Sequence, residues 1–160
     1  MAAYELLKRL NLKNPWHLIA VGFGSGLAPK APGTFGSLAA IPICMVLLYV
    51  HPLIAVAFII LSFVIGVKAC SEAEKAMGVH DHGGIVADEF VGMFISVMCY
   101  PAHFAYAFLA FVLFRFFDIL KPFPVNWADN NIGGGMGIMV DDVLAGIYAF
   151  IAGYVILLFI

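Results

Sequence analysis

The sequence predicts an all-α, polytopic membrane bundle of about five hydrophobic helices, with one short N-terminal helix that is interfacial or re-entrant. Three observations carry this. Of 160 residues, 64% are hydrophobic and 11% charged, against roughly 25% charged residues in soluble domains. The mean hydropathy is +1.04. Long stretches carry no charge at all: none lies between Lys30 and Lys68, between Glu89 and Arg115, or after Asp142.

The elements follow from those stretches. Pro15–Leu27 is short and broken by glycines, which suits the interfacial or re-entrant helix. The first charge-free stretch is 37 residues, interrupted by His51-Pro52, and reads as two spans, Ser37–Val50 and Leu53–Val67. The second breaks at Tyr100-Pro101 and reads as a hairpin of Val86–Cys99 and Ala102–Leu120. Asp142–Ile160 forms the last span. At 1.5 Å per residue it nearly crosses about 30 Å of hydrocarbon. The length suits one domain, residues 1–160.

The two far-side turns contain no Lys, Arg, Asp or Glu, so every charge shares one side with Lys8, Arg9, Lys13, Lys30, Lys68, Lys75 and Lys121. The positive-inside rule makes that side cytoplasmic and puts the C-terminus outside. Glu89 to Pro101 covers about 18 Å as helix, and Pro101 to Arg115 about 21 Å. Both are shorter than a bilayer core. Either the hairpin tip stops short of the far surface or, the preferred reading, Asp88, Glu89 and Arg115 sit below the near headgroups, at the depth where a lipid phosphate meets its tails. A transporter would carry polar groups through the full thickness, and this chain does not.

Other classes drop out on composition. A net charge of −2 without a basic, aromatic-studded stretch gives no support for nucleic-acid binding. Cys44, Cys70 and Cys99 lie too far apart for a zinc or redox pair and read as buried thiols. No short apolar core with a small-residue cleavage site follows the N-terminal cations, so no cleaved signal peptide is expected. His80 and His82 flank Asp81 in what reads as a solvated loop, and no nucleophile elbow is present.

What remains is a set of costly carboxylates beside hydrocarbon. Asp88 and Glu89 fall in the first turns of a predicted helix, where acids complement the helix dipole. Adjacent residues point about 100° apart, so one of the two must face the bundle, and Gly92 leaves room for a neighbour. Capping by exposed carboxylates is the bland alternative. Arg115, Asp118 and Lys121 share one helical face. They are either a structural ion pair at a helix end or a phosphate clamp with Asp118 as metal ligand. The run Gly133–Gly137 is neither a Walker loop nor a dinucleotide fingerprint. It reads as a flexible turn able to offer amides to an anion before Asp141-Asp142, a second acidic pair at a helix start. Lys30, Thr34 and Ser37 add a cation and hydroxyls beside a further helix N-terminus. Oxygen donors of this kind suit Mg²⁺ bridged to phosphate.

Four blocks occur in order: Gly24–Ser37 with its Pro-Lys-Ala-Pro-Gly-Thr-Phe-Gly-Ser run, Asp81–Gly92, Arg115–Pro124 and Gly134–Gly146. Together they resemble the phosphatidylglycerophosphatase A family of bacterial membrane lipid phosphatases. The resemblance implies a Mg²⁺-dependent phosphoric monoester hydrolase of phospholipid biosynthesis. It would convert phosphatidylglycerophosphate to phosphatidylglycerol and phosphate at the cytoplasmic face of the inner membrane. Asp88, Glu89, Asp118, Asp141 and Asp142 are the expected catalytic residues. They are also the expected metal ligands, together with Asp81. Lys30, Thr34, Ser37, Arg115 and Lys121 are the expected phosphate ligands. A phosphotransferase acting on nucleotide-activated alcohols would need a D-G-x-x-A-R signature, and the chain lacks one.

Overall fold

The chain folds as helices alone in a computed structural model that describes residues 2–159. In order they are α1 (Ala2–Leu7), α2 (Pro15–Ala20), a 3-10 segment (Gly22–Leu27), α3 (Pro32–Leu47), α4 (Pro52–Met77), α5 (Ala87–Val97), α6 (Phe104–Leu120), α7 (Val125–Asn131) and α8 (Gly134–Leu157). Ile160, the end of the predicted last span, lies outside the described residues.

Local chemistry sets the helix limits. Pro15, Pro32 and Pro52 sit in first turns, where their missing N–H costs nothing. His51 and His103 cap α4 and α6, each Nδ1 accepting a backbone N–H two residues on at 3.2 Å. Gly78, at φ 75°, ends α4 in the left-handed conformation glycine tolerates. The N-terminal helix breaks after Ala20, as the glycines foretell.

The predicted boundaries need four revisions. α3 begins at Pro32, five residues before the expected span, and α4 runs on through the charged stretch to Met77. Residues 121–140 are not one loop, because Val125 and Ala128 pack a helical turn, α7, against α8. α8 begins at Gly134, about two turns before Asp142. Of the five predicted hydrophobic helices, only α4 and α8 are long and apolar enough by themselves to cross a membrane among the described residues.

Helix α5 is the axis of the bundle. Ten of its eleven residues are buried, and α3, α4, α6 and α8 all pack against it. Close packing comes from small residues. A β-carbon on Gly146 would stand 2.6 Å from the Gly92 carbonyl oxygen, and one on Gly66 would stand 2.6 Å from the Met139 methyl carbon. The outer side of α4 is apolar as well, with Leu53, Ile54, Ile60, Leu61 and Val64 exposed. A contiguous exposed apolar face of this kind is uncommon on a water-soluble domain.

Candidate active site

Charged side chains gather where α3, α5 and α8 carry their N-terminal halves and α4 and α6 carry their C-terminal ends. The α5–α8 crossing builds the centre. Gly92 and Gly146 meet backbone to backbone, and each lies four residues after an aspartate, Asp88 and Asp142. Side chains four apart occupy the same helical face, so the contact one turn further along brings those two carboxylates together. Glu89 completes the group. One oxygen from each of Asp88, Glu89 and Asp142 lies within 4.8 Å of the others, and all three residues are buried.

Each of these acids keeps a buried oxygen without a hydrogen-bond partner: Asp88 Oδ1, Glu89 Oε2 and Asp142 Oδ2. Buried carboxylates are normally paired or bound to metal. Three converging carboxylates, each with an unpartnered oxygen, fit a hard divalent cation, and Mg²⁺ takes such ligands while keeping several waters.

The remaining acids do other work. Asp141 is buried but accepts from Lys121 Nζ at 2.9 Å, and its second oxygen accepts the Asp142 N–H at 3.0 Å. Asp118 is bonded by Arg115 Nη1 and is an electrostatic neighbour of Asp142. Neither joins the three-carboxylate group. Asp81 is exposed in the loop before α5, at the left-handed φ of 45°, beside His80 and Pro32 in a surface depression. The structure leaves it outside the group as well.

Two cations flank the centre. Arg115 bonds Asp118, and its Nη1 lies 3.8 Å from Glu89 Oε1. Lys121 bonds Asp129 at 2.7 Å and Asp141 at 2.9 Å. Burial acts to lower the Lys121 pKa, but the hydrogen bonds to Asp129 and Asp141 outweigh it and hold the ammonium above its ordinary range. The left-handed backbone of Lys121, φ 44°, turns the chain out of α6 at this point.

The start of α3 closes one side. A β-carbon on Gly33 would meet Glu89 Oε1 and stand 3.2 Å from Arg115 Nη1, so glycine is what lets the helix approach the pair. Thr34 follows, half-buried, in that first turn. Lys30, two residues before Pro32, is exposed and forms no ion pair with a described residue. Ser37 departs from its expected role. It is fully buried, and its hydroxyl donates to the Gly33 carbonyl at 2.9 Å.

The glycine run also departs from expectation. Gly134–Gly137 lie inside α8, and Gly135 packs against α4, its amide donating to Ser71 Oγ at 3.2 Å. Their role is a close helix crossing. An apolar cavity of about 250 Å³, lined by Ala87, Phe90, Val91 and Phe94, faces away from Asp88 and Glu89 on the other side of α5.

Asp129 is the residue that the sequence reading passed over. Its sign was the spacing of Val125 and Ala128, which marks a short helix able to hold an acid eight residues after Lys121.

Comparison with known proteins places the chain among phosphatase relatives. A phosphatidylglycerophosphatase A of Escherichia coli (strain K12) is 50% identical over 140 residues, covering 87% of this chain and 81% of that protein. One from Haemophilus influenzae is 51% identical over 152 residues, covering 94% and 93%. A Bacteroides thetaiotaomicron protein with the provisional name phosphatidylinositol-3-phosphatase is 42% identical over 142 residues, covering 84% and 88%. No solved structure matches the chain. The family profile described as Phosphatidylglycerophosphatase A matches residues 18–157, and the chain belongs to that family.

Proposed function

We propose that this protein is a Mg²⁺-dependent phosphatase that releases the terminal monoester phosphate of phosphatidylglycerophosphate, leaving phosphatidylglycerol. The observation that carries the reading is the trio Asp88, Glu89 and Asp142, three buried carboxylates with unpartnered oxygens beside two cations. Family membership supports the substrate.

In this reading Asp88, Glu89 and Asp142 hold Mg²⁺. The bound ion would supply Lewis-acid neutralisation of the phosphoryl group and a more acidic water. Arg115, Lys121 and Lys30 hold the nonbridging oxygens, with the Thr34 hydroxyl adding a donor. Asp118 keeps the Arg115 guanidinium in place, and Asp129 with Asp141 does the same for Lys121. Charged groups held in advance need no reorganisation as charge develops on the phosphate.

The chain is embedded in a bilayer in several passes, with the site at the cytoplasmic headgroup level. The exposure of α4 supports this. Only 22% of its most apolar window is buried, whereas the core helix of a soluble protein would be mostly covered. α3 and α6 pack beside α4 and α8, and α5, at 11 residues about 17 Å long, is shielded by the others without reaching across the hydrocarbon.

The test is phosphate release from phosphatidylglycerophosphate in mixed micelles, with Mg²⁺ and with chelator. Phosphatidylinositol 3-phosphate and phosphatidic acid serve as comparison substrates. Mg²⁺-dependent release, fastest from phosphatidylglycerophosphate, is the expected result. Equal rates with chelator, or a preference for the inositol lipid, would count against the assignment.

A further inference from the structure

Helix α7 and the turn before it have no part in the metal group, yet they present an apolar surface beside it. Phe123 is 73% exposed and Trp127 53% exposed. Phe123 stands in the turn before α7, ahead of its N-cap Pro124, and Trp127 lies in the first turn of the helix. Ile119 and Leu120 at the end of α6, both exposed, extend this surface to the apolar exterior of α6 at Phe116. Val125 and Ala128 bury the other side of α7 against α8, and the exposed amides Asn126, Asn130 and Asn131 flank Trp127.

The segment is fastened at two points. Tyr148 Oη donates to the Phe123 carbonyl at 2.7 Å. Tyr148 stands six residues beyond Asp142 along α8, about 9 Å further from the charged end. Lys121 binds Asp129 of α7 at 2.7 Å. The turn is thus tied to α8 beyond the carboxylates by a tyrosine, and α7 is tied to Lys121 by an ion pair.

We propose that Phe123 and Trp127 are an interfacial anchor seated in the headgroup–acyl boundary of a lipid bilayer, fixing the depth of the Lys121 side of the site. The inference rests on the membrane-embedded reading above. Exposed aromatic rings flanked by exposed amides suit that boundary, where indole and phenyl rings bury their bodies beside wet headgroups. Continuity with the exposed apolar face of α6 names the occupant, because lipid that covers Phe116 and Ile119 meets Phe123 and Trp127 next.

The chain has two tryptophans, so Trp16→Phe leaves Trp127 as the only indole emitter. The full-length variant is reconstituted in phosphatidylcholine vesicles whose acyl chains carry bromines near the headgroup or near the chain end. The difference between wild type and Trp127→Phe gives the same signal should Trp16→Phe not fold. Loss of emission with bromines near the headgroup is expected, with smaller loss for chain-end bromines and little loss with aqueous acrylamide. Strong acrylamide quenching without lipid quenching would put Trp127 in water and overturn the anchor. Protection from both quenchers would mean a protein contact, such as a second copy, and would overturn it equally. Alkaline carbonate separates the two readings. Release from the vesicles would sink the membrane reading along with the anchor, whereas retention with Trp127 in water defeats the anchor alone.

Discussion

The Gly92 carbonyl oxygen lies 2.6 Å from the point where a β-carbon on Gly146 would stand. The contact is backbone against backbone, so neither helix can yield by turning a side chain. Gly146→Ala therefore pushes α5 from α8, at a cost of about 1–3 kcal/mol typical of overpacking. Asp88 and Asp142, one turn away, separate with them. Thermal unfolding in detergent should show the destabilisation, and Mg²⁺-dependent release should fall further than the loss of folded protein explains.

The three carboxylates are costly without a cation, since like charges in a buried site repel and are poorly solvated. Glu89→Gln removes one of those charges. The variant should unfold at a temperature equal to or above that of the metal-free wild type, while losing the rise that Mg²⁺ gives. A metal at a hundred times its dissociation constant adds about 2.7 kcal/mol to a folded state that alone binds it. Unfolding scans with and without Mg²⁺ measure both effects. A Glu89→Gln variant still stabilised like wild type would remove Glu89 from the ligand set.

Lys121 joins two acids from two helices. Lys121→Ala leaves the buried Asp141 unpaired, and hydrogen bonds to charged groups are each worth about 1.5–3 kcal/mol. The double variant Lys121→Ala, Asp141→Asn should regain part of the lost stability, because the stranded charge is gone. The pH dependence has a definite sign. Burial alone would lower the Lys121 pKa, but its two acid partners raise it. Its contribution is therefore full below the ordinary lysine value of 10.5 and is lost only as pH rises through the higher folded value. With the stranded acid also removed, the advantage of wild type over Lys121→Met, Asp141→Asn in denaturation midpoint should hold to about pH 10 and shrink above it.

Arg115 lies between Asp118 and Glu89 and presents a planar fork of donors. Lysine keeps the charge but not the fork. Arg115→Lys should lower kcat/KM by tenfold or more, the equivalent of about 1.4 kcal/mol in transition-state binding, with little change in unfolding temperature. Steady-state kinetics on the lipid substrate decide this.

Much of the site was legible because charge is rare here. With ten acids in 160 residues, Asp88-Glu89 and Asp141-Asp142 stood out at once, and the resemblance placed them in a known order. The finer division was not legible. Asp141 and Asp142 are neighbours in sequence, yet about 100° of helical turn sends one to Lys121 and the other to the group with Asp88 and Glu89. That depends on where α8 begins, and the glycine run Gly133–Gly137 reads as a loop until its packing on α4 makes it helix. Ser37 looked like a ligand because serine hydroxyls often are, but inside α3 it bonds its own backbone instead. Asp129 was hidden in a stretch too polar to resemble the other helices.

The central claim is that Asp88, Glu89 and Asp142 hold the catalytic metal, and Asp142 tests it best because it comes from a different helix than the other two. The measurement is phosphate release from phosphatidylglycerophosphate by purified wild type and Asp142→Asn across a Mg²⁺ titration. The account predicts a saturable Mg²⁺ dependence for wild type and no release by the folded variant at any Mg²⁺ concentration. Release by Asp142→Asn at the wild-type rate and with the wild-type Mg²⁺ midpoint would contradict it.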